Sequence, residues 1–189
     1  MKLLKIIIPC LFLGACMFGA SKSSKFYTQA AAVANTVSAN YNGFVGVNRI
    51  HLPKYVDRPQ MITQEKDSVQ VNISEYNRWV EAPSVLATRA VAADLSALLP
   101  AAKIKINPLQ GDAFERVVSV EVEEITAVLG EKVTLSAWYK IQDNAKKLIA
   151  QQKFSYTVPI GKTYEDVANG YSRLWAALSE DIANTLIRN

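Results

Sequence analysis

The sequence predicts a single α/β domain in which a mixed β-sheet is packed by two main amphipathic helices. Three observations support this prediction. Half of the 189 residues are hydrophobic, two segments repeat apolar residues at helical spacing, and several of the remaining segments alternate apolar with polar residues. A chain of this length buries roughly 70% of the surface that its unfolded form exposes, so it can hold a core without metals or disulfides. Disorder is therefore excluded as its main state.

The N-terminal segment has the features of a secretory signal. Lys2 and Lys5 accompany an apolar run over 6–13, which is too short to span a bilayer because a spanning helix needs about 20 residues. The sequence Leu-Gly-Ala-Cys at 13–16 is similar to the lipobox of bacterial lipoproteins. In that class the thiol becomes a diacylglyceryl thioether, the chain is cut before the cysteine, and the new amino group is acylated. We therefore expect residues 1–15 to be a signal peptide and Cys16 to be lipidated.

A lipid anchor at Cys16 has consequences for the mature chain. Two or more acyl chains hold a protein firmly on a membrane, with residues 16–25 as a flexible tether and 26–189 as the domain. Because Met17 rather than Asp follows the cysteine, the lipobox resemblance implies the outer membrane. Cys10 leaves with the signal, so no intramolecular disulfide is expected. Removing Lys2 and Lys5 also lowers the formal net charge from +4 to +2, and nucleic-acid binding loses its main support.

The first half of the domain is predicted to form strands and then one helix. Residues 26–29 and 43–52 are expected to be strands, and 61–65 with 69–73 a hairpin around Lys66-Asp67-Ser68. Pro83 suits the first turn of a helix that Pro100 ends. Its apolar residues recur at three- and four-residue steps and are Leu86, Ala90, Val91, Leu95, Leu98 and Leu99.

The second half is predicted to form a strand, a three-stranded meander and a long helix. The strand covers 103–107, and the meander strands cover 114–126, 133–142 and 148–158, with turns at Gly130 and at Asp143-Asn144. The helix starts at Tyr164, where Thr163 can cap it and Glu165 and Asp166 suit its positive end. Its apolar stripe contains Val167, Tyr171, Leu174, Trp175, Leu178, Ile182 and Leu186.

Two short motifs resemble chemical sites. Gly161-Lys162-Thr163 before a helix resembles the end of a phosphate-binding loop, but Tyr156 stands where that motif needs a glycine. A strand-to-helix turn capped by Thr163 is the favoured interpretation. The carboxylates of Glu121, Glu123 and Glu124 are clustered, yet Glu121 and Glu123 share the polar face of an alternating strand. A solvated strand face is therefore favoured over acid–base catalysis.

The remaining candidates are also better explained without chemistry. His51 has neither a second histidine nor a mature free cysteine as a partner, which favours a surface or structural histidine. Tyr171 and Trp175 are expected in the core rather than in a ligand pocket. The sequence thus predicts a protein that is not an enzyme, with no catalytic residue, metal site or cofactor.

One loop is not readily explained by structure alone. Pro53 and Pro59 stiffen it, and Tyr55, Asp57 and Arg58 lie between them. Gln60 follows the loop, and the pair Arg78-Trp79 precedes the first helix. These residues could form an interaction surface, or they could be scaffolding in which Asp57 pairs with Arg78. The sequence leaves both interpretations open.

The order of these features resembles the PqiC (YmbA-like) family of ABC-type transport auxiliary lipoproteins. The matching features are the lipobox, the string Val-Gly-Val-Asn-Arg-Ile-His-Leu-Pro at 45–53, and Arg78-Trp79 before the helix. The most specific is Leu-Pro-x-Tyr-x-Asp-Arg-Pro-Gln at 52–60. The resemblance extends from Tyr27 to the terminal helix. It implies a fold similar to the N-terminal domain of TolB and to anticodon-binding domains.

The resemblance also implies a function. It suggests an outer-membrane lipoprotein that faces the periplasm and serves as a non-catalytic docking subunit of a trans-envelope lipid transport system that maintains membrane integrity. The expected partners are outer-membrane lipid and a periplasm-spanning MCE-domain protein of an ABC-linked system, and a homo-oligomer remains open. The suspected partner-binding residues are Pro53, Tyr55, Asp57, Arg58, Pro59, Gln60, Arg78 and Trp79. The alternative is a periplasmic phospholipid- or small-ligand-binding lipoprotein, which needs an apolar cavity of about 300 Å³ or more between helix and sheet.

Overall fold

The computed structural model describes residues 22–33, 41–109 and 112–189. The predicted signal peptide, Cys16 and the first part of the tether lie outside these ranges. In the described part of the chain, eight strands form one sheet and two helices accompany it. The elements are β1 (Lys25–Tyr27), β2 (Phe44–Val47), β3 (Gln60–Gln64), β4 (Val71–Trp79), α1 (Pro83–Leu98), β5 (Lys103–Ile106), β6 (Arg116–Val128), β7 (Lys132–Gln142), β8 (Leu148–Pro159) and α2 (Tyr164–Arg188).

The sheet is mixed and branches at β6. One side of β6 pairs antiparallel with β7, which pairs antiparallel with β8, as the sequence predicts. The other side of β6 pairs in parallel with β2 near its start and with Gln64 of β3 near its end. β5 extends the sheet from β2, whereas β4 and then β1 extend it from β3. β1 and β8 therefore lie at opposite edges.

Both helices lie against one face of the sheet. On β6 the side chains of Val118, Val120 and Val122 are buried, because alternate residues of a strand point to the same face. The hydroxyl of Tyr139 on β7 donates to the Asp181 carboxylate of α2 at 2.7 Å, and α1 packs against α2. The predicted fold class is confirmed. We call the opposite face, over which neither helix of the described residues lies, the open face.

The start of α2 has the capping arrangement that the sequence predicts. The hydroxyl of Thr163 accepts from the amide of Asp166 at 3.1 Å, and the Asp166 carboxylate accepts from the amide and hydroxyl of Thr163 at 2.9 and 2.7 Å. These bonds from Thr163 lower the pKa of Asp166. A side chain at Gly161 would clash with that carboxylate. The Gly161-Lys162-Thr163 segment is thus a helix start and not a phosphate-binding loop.

The chain after β1 crosses the two helices as an extended segment, residues 28–33, which we call the strap. The side-chain oxygen of Gln29 accepts from the indole nitrogen of Trp175 at 2.7 Å. The amide of Ala30 donates to the hydroxyl of Ser172 at 3.1 Å. Trp175 is fully buried, so the strap is bound to the core of α2.

A buried carboxylate on α1 fixes the far end of the strap. Asp94 is fully buried and one of its oxygens accepts from the amides of Ala32 and Val33 at 2.9 and 3.2 Å. Burial raises the pKa of Asp94, and the Glu180 charge adds to that shift. The two amide bonds oppose it because they favour the ionised form.

β4 and β2 differ most from the predicted boundaries, and the other strands differ by at most two residues at either end. β4 continues six residues beyond the expected end at Ile73 to reach Trp79, with an irregular register that interrupts the alternation used for prediction. β2 ends at Val47, well before the expected residue 52. There the chain turns toward α1, and the amide of Ile50 donates to the Thr88 hydroxyl at 2.9 Å. β1 starts one residue early and ends at Tyr27, where the strap begins.

Candidate functional site

The loop between Pro53 and Pro59 is fixed by its own backbone. The amides of Val56 and Asp57 donate to the carbonyl of Pro53 at 3.0 and 3.2 Å, and the amide of Arg58 donates to the carbonyl of Val56 at 2.9 Å. The Val56 side chain is buried in the core. The loop is therefore rigid, as the two prolines predict.

Asp57 serves as a remote cap for α1. Ala82 stands at the N-cap position and offers no side-chain acceptor. Instead, the two carboxylate oxygens of Asp57 accept from the amide of Ser84 at 3.0 Å and from its hydroxyl at 2.9 Å. The negative charge also suits the positive end of the helix. Asp57 thus has a scaffolding role, but its partner is Ser84, and no hydrogen bond or salt bridge between described residues joins it to Arg78.

The same serine orients a residue that sequence reasoning missed. The hydroxyl of Ser84 accepts from Nε and Nη2 of Arg49 at 3.1 and 2.7 Å. Ser84 is buried and Arg49 is exposed, so the network runs from the loop through the helix end to the surface. Arg49 lies within the string at 45–53 that resembles the family, and this position is the sequence feature that could have marked it as a candidate site residue.

Trp79 belongs to the core and not to the surface. Its side chain is 4% exposed and its ring stacks on that of Tyr171, with centroids 5.4 Å apart. Burial raises the pKa of the Tyr171 hydroxyl. The amide of Trp79 donates to the carbonyl of Pro59. Trp79 therefore stabilises the loop from the core side and is not accessible to a partner.

The remaining residues of the loop region are accessible, and we call Tyr55, Arg58, Gln60 and Arg78 the signature surface. Tyr55 is 46% exposed, and burial of the rest of the ring, with the nearby Glu124 charge, raises its pKa. Gln60 and Arg78 are register partners across β3 and β4, opposite in direction to the buried Met61 and Trp79, so they face the open side. Among the described residues neither Arg58 nor Arg78 forms a salt bridge. The two prolines complete the set, Pro53 half-buried and Pro59 exposed.

A cleft of about 750 Å³ lies on the open face beside β6 and β7. Its walls include Arg49, His51, Glu121, Trp138 and Lys140. The lining is therefore mixed in charge and partly aromatic. It is not the apolar cavity between helix and sheet that the ligand-binding alternative requires.

The space between helices and sheet is filled by side chains. Trp175 and Leu174 of α2 and Leu135 of β7 are fully buried there. Tyr171 is also buried, so the interpretation of Tyr171 and Trp175 as core residues is confirmed.

The clustered carboxylates form surface interactions. Glu123 accepts from Lys153 at 2.8 Å, Trp138 at 2.9 Å and Ser136 at 3.0 Å. These bonds, that of Lys153 first, lower the pKa of Glu123. A carboxylate held ionised in this way suits a solvated face and not proton donation near neutral pH. His51 is exposed and takes part in an isolated bridge with Glu121.

The described residues contain neither a candidate metal site nor a candidate membrane-spanning helix. Residues 22–33, 41–109 and 112–189 contain no cluster of three or more His, Cys, Asp or Glu side chains arranged to hold a metal ion. Within those ranges neither helix combines the length and the apolar composition needed to cross a membrane.

The fold and the signature surface together define a small α/β domain that presents a rigid polar and aromatic loop beside the open face of the sheet. The chain belongs to the family described as the ABC-type transport auxiliary lipoprotein component, whose model matches residues 27–183. The resemblance based on the loop and helix motifs is thereby confirmed. The protein is accordingly a member of a family of auxiliary lipoproteins of ABC-type transport.

Solved structures show the same fold. One uncharacterised protein has a TM-score of 0.72 at 21% identity, covering 86% of this chain and 98% of its own. A Xanthomonas campestris protein also has a TM-score of 0.72, at 10% identity, with coverages of 87% and 95%. The PelC dodecamer of Paraburkholderia phytofirmans has a TM-score of 0.46 at 11% identity, covering 88% and 95%, and so weak a likeness carries no argument about assembly. No curated protein matched the chain.

Proposed function

We propose that this protein is a non-catalytic docking subunit of a trans-envelope, MCE-linked ABC transport system for lipids that maintains membrane integrity. Acylated Cys16 anchors it in the outer membrane, and residues 16–25 tether a periplasmic domain that comprises residues 26–189. A periplasm-spanning MCE-domain protein is the partner, and it supplies the conduit. Family membership as an auxiliary transport lipoprotein supports this proposal.

The signature surface carries the proposal. Its exposed tyrosine and two arginines without salt bridges among described residues are the types enriched at interface hot spots. Their neighbours Val56, Asp57 and Trp79 hold the loop in place through core packing, a hydrogen bond to Ser84 and ring stacking. A rigid loop loses little conformational entropy when a partner binds, so its side chains can contribute more of their interaction energy to affinity.

A photoreactive residue in place of Tyr55 tests the partner in living cells. We expect crosslinks to a periplasm-spanning MCE-type protein. The matched control is the same residue in place of Tyr156, which is similarly exposed but lies on β8 at the opposite edge of the sheet. Equal crosslinking from both positions, or recovery of unrelated proteins from Tyr55 alone, would contradict the proposal.

The arginines provide a second test with isolated components. Arg58→Ala combined with Arg78→Ala should weaken capture of the MCE-type partner by about 100-fold or more, since each hot-spot arginine contributes about 1.4 kcal/mol or more, which is a factor of about ten per residue. Lys147→Ala, in the exposed turn before β8, is the control. Normal capture by a folded double variant would exclude this surface. The anchor is tested separately by labelled palmitate, which should mark the wild type and not Cys16→Ala.

The cleft suggests a second candidate, a phospholipid- or small-ligand-binding function on the open face and not in the apolar cavity between helix and sheet that the sequence-based alternative requires. Its volume is sufficient for such a ligand, and Trp138 with Lys140 could contact an apolar chain and a negative headgroup. Native mass spectrometry after gentle extraction should then show bound lipid. Loss of that lipid in Trp138→Ala, but not in the Arg58 and Arg78 variants, would favour this candidate over docking alone.

A further inference from the structure

We propose that the β1 edge of the domain is a membrane-contact surface that binds the anionic headgroups of a phospholipid bilayer. We call it the β1 patch and define it as Lys22, Lys25, Phe26 and Tyr76. This inference rests on the proposed anchor at Cys16. It adds a second contact with the membrane, made by the folded domain itself.

The β1 patch exposes an aromatic ring that the fold does not use. Phe26 is 63% exposed. It lies on β1, a strand of three residues at the edge of the sheet. Its register partner is Arg78, so its side chain points to the open face beside that arginine, whereas Lys25, the register partner of Asn77, projects from the other side of the same edge strand. Tyr76 is 43% exposed on the neighbouring strand. Large aromatic side chains placed in this way are typical of residues that insert at a bilayer interface.

The patch itself carries two positive charges. Lys22 lies over the ring of Tyr76, with its nitrogen 5.4 Å from the centroid, and Lys25 is exposed. From Cys16 to Tyr27 the sequence contains two lysines and no acidic residue. The acidic side chains on the neighbouring segments are Glu75 on β4, Glu81 just after β4 and Glu165 at the start of α2, and Glu81 is paired with Arg89. Lysines close to an anionic surface attract it over about one Debye length, roughly 8 Å at physiological ionic strength.

The length of the tether keeps this patch near the membrane. Six peptide steps separate Cys16 from Lys22, which allows at most about 20 Å when fully extended. A flexible segment of that length has a typical end-to-end distance of roughly 13 Å. A tethered surface meets its target at an effective concentration in about the millimolar range. Even a weak patch is therefore occupied when the anchor is inserted.

The composition favours lipid over a protein as the occupant. Lysine is depleted in protein–protein interfaces, which prefer arginine. The basic residues of the β1 patch itself are both lysines, whereas the signature surface carries arginines. We therefore assign the patch to the bilayer and the signature surface to the partner.

Vesicle binding without the anchor tests this assignment. The protein is the mature chain, residues 16–189, with Cys16→Ser, so that binding does not depend on acylation. We expect it to sediment with phosphatidylglycerol vesicles and not with phosphatidylcholine vesicles, and to be released by high salt. Lys22→Gln with Lys25→Gln should weaken binding roughly 30-fold, since each lysine near the surface contributes about a fivefold factor. Phe26→Ser should weaken it further.

Matched variants lie at the opposite edge of the sheet. Lys146→Gln with Lys147→Gln makes the same change in charge, and Leu148→Ser removes a similarly exposed apolar side chain. These variants should bind the vesicles normally. Equal losses in patch and control variants, or equal binding to both kinds of vesicle, would overturn the proposal. A Phe26→Ser variant that changes only self-association or partner capture would assign the patch to a protein instead. Failure of palmitate labelling would refute the anchor at Cys16. The vesicle assay would still test lipid binding by the β1 patch, because it uses the chain with Cys16→Ser.

Discussion

Replacing Asp57 with alanine removes a helix cap that comes from outside the helix. The carboxylate accepts two hydrogen bonds from Ser84, at 3.0 and 2.9 Å, and no side chain at Ala82 can replace it. Loss of an N-cap costs about 1 kcal/mol, and loss of a negative charge at the helix start costs about 0.3–1 kcal/mol more. The Ser84 hydroxyl also loses its acceptor. We predict that Asp57→Ala lowers the free energy of unfolding by about 2 kcal/mol.

Urea and thermal unfolding of the mature chain with Cys16→Ser measure this change. For a domain of this size, about 2 kcal/mol corresponds to a fall in Tm of roughly 4–8 °C. Asp57→Asn keeps an acceptor but loses the charge, so its Tm should be intermediate. Glu75→Ala, which removes an exposed carboxylate on β4, is the control. If Asp57→Ala unfolds at the same urea concentration as this control, the capping role is refuted.

Three further predictions concern the core, the second helix and the strap. Trp79→Ala should lower the free energy of unfolding by about 3–5 kcal/mol in urea titrations, because a buried and stacked ring is lost. Capture of the MCE-type partner per folded molecule should stay normal. Loss of capture without loss of stability would contradict the core role of Trp79. Thr163→Ala should cost about 1 kcal/mol through loss of the capping box of α2, and an unchanged urea midpoint would contradict this. Burial raises the pKa of Asp94 in the folded state above its value in the unfolded state. The protonated Asp94 side chain therefore contributes fully to stability below the unfolded pKa, which is about 4. This contribution is lost as the pH rises through the folded pKa. Asp94→Asn should thus gain stability relative to the wild type between about pH 4 and neutrality, and a difference that does not vary with pH in urea titrations would rule out this linkage.

Periodicity predicted most of the elements because burial on one face imposes it. The two helices and the β6–β8 meander were predicted to within about two residues at most ends. The parallel pairing of β2 with β5 and β6 had no such signal, since alternation shows which side of a strand is buried but not which strand lies beside it. The strap was missed because it is held by hydrogen bonds to Trp175, Ser172 and Asp94, and no periodic pattern is involved.

The loop shows the limit of prediction from residue types alone. The prolines correctly indicated rigidity, and Asp57 has a structural role, as one of the two interpretations proposed. The Asp57–Arg78 pair was one of two open interpretations and rested on opposite charge without any distance, and Ser84 is the partner of Asp57 in the structure. Trp79 looked like a surface anchor because polar residues precede it, but the irregular register of β4 turns its ring into the core.

The strap and β1 also determine how the domain responds to mechanical load on its leading end. A pull applied ahead of Lys22 first reaches the three parallel register pairs between β1 and β4. If the force runs along the strand, these pairs are sheared together and do not open one by one. The next resistance comes from the buried bonds of Gln29 to Trp175 and of Asp94 to the strap amides. Tension would therefore detach β1 from β4 first and the strap from the helices second, before it reaches the meander.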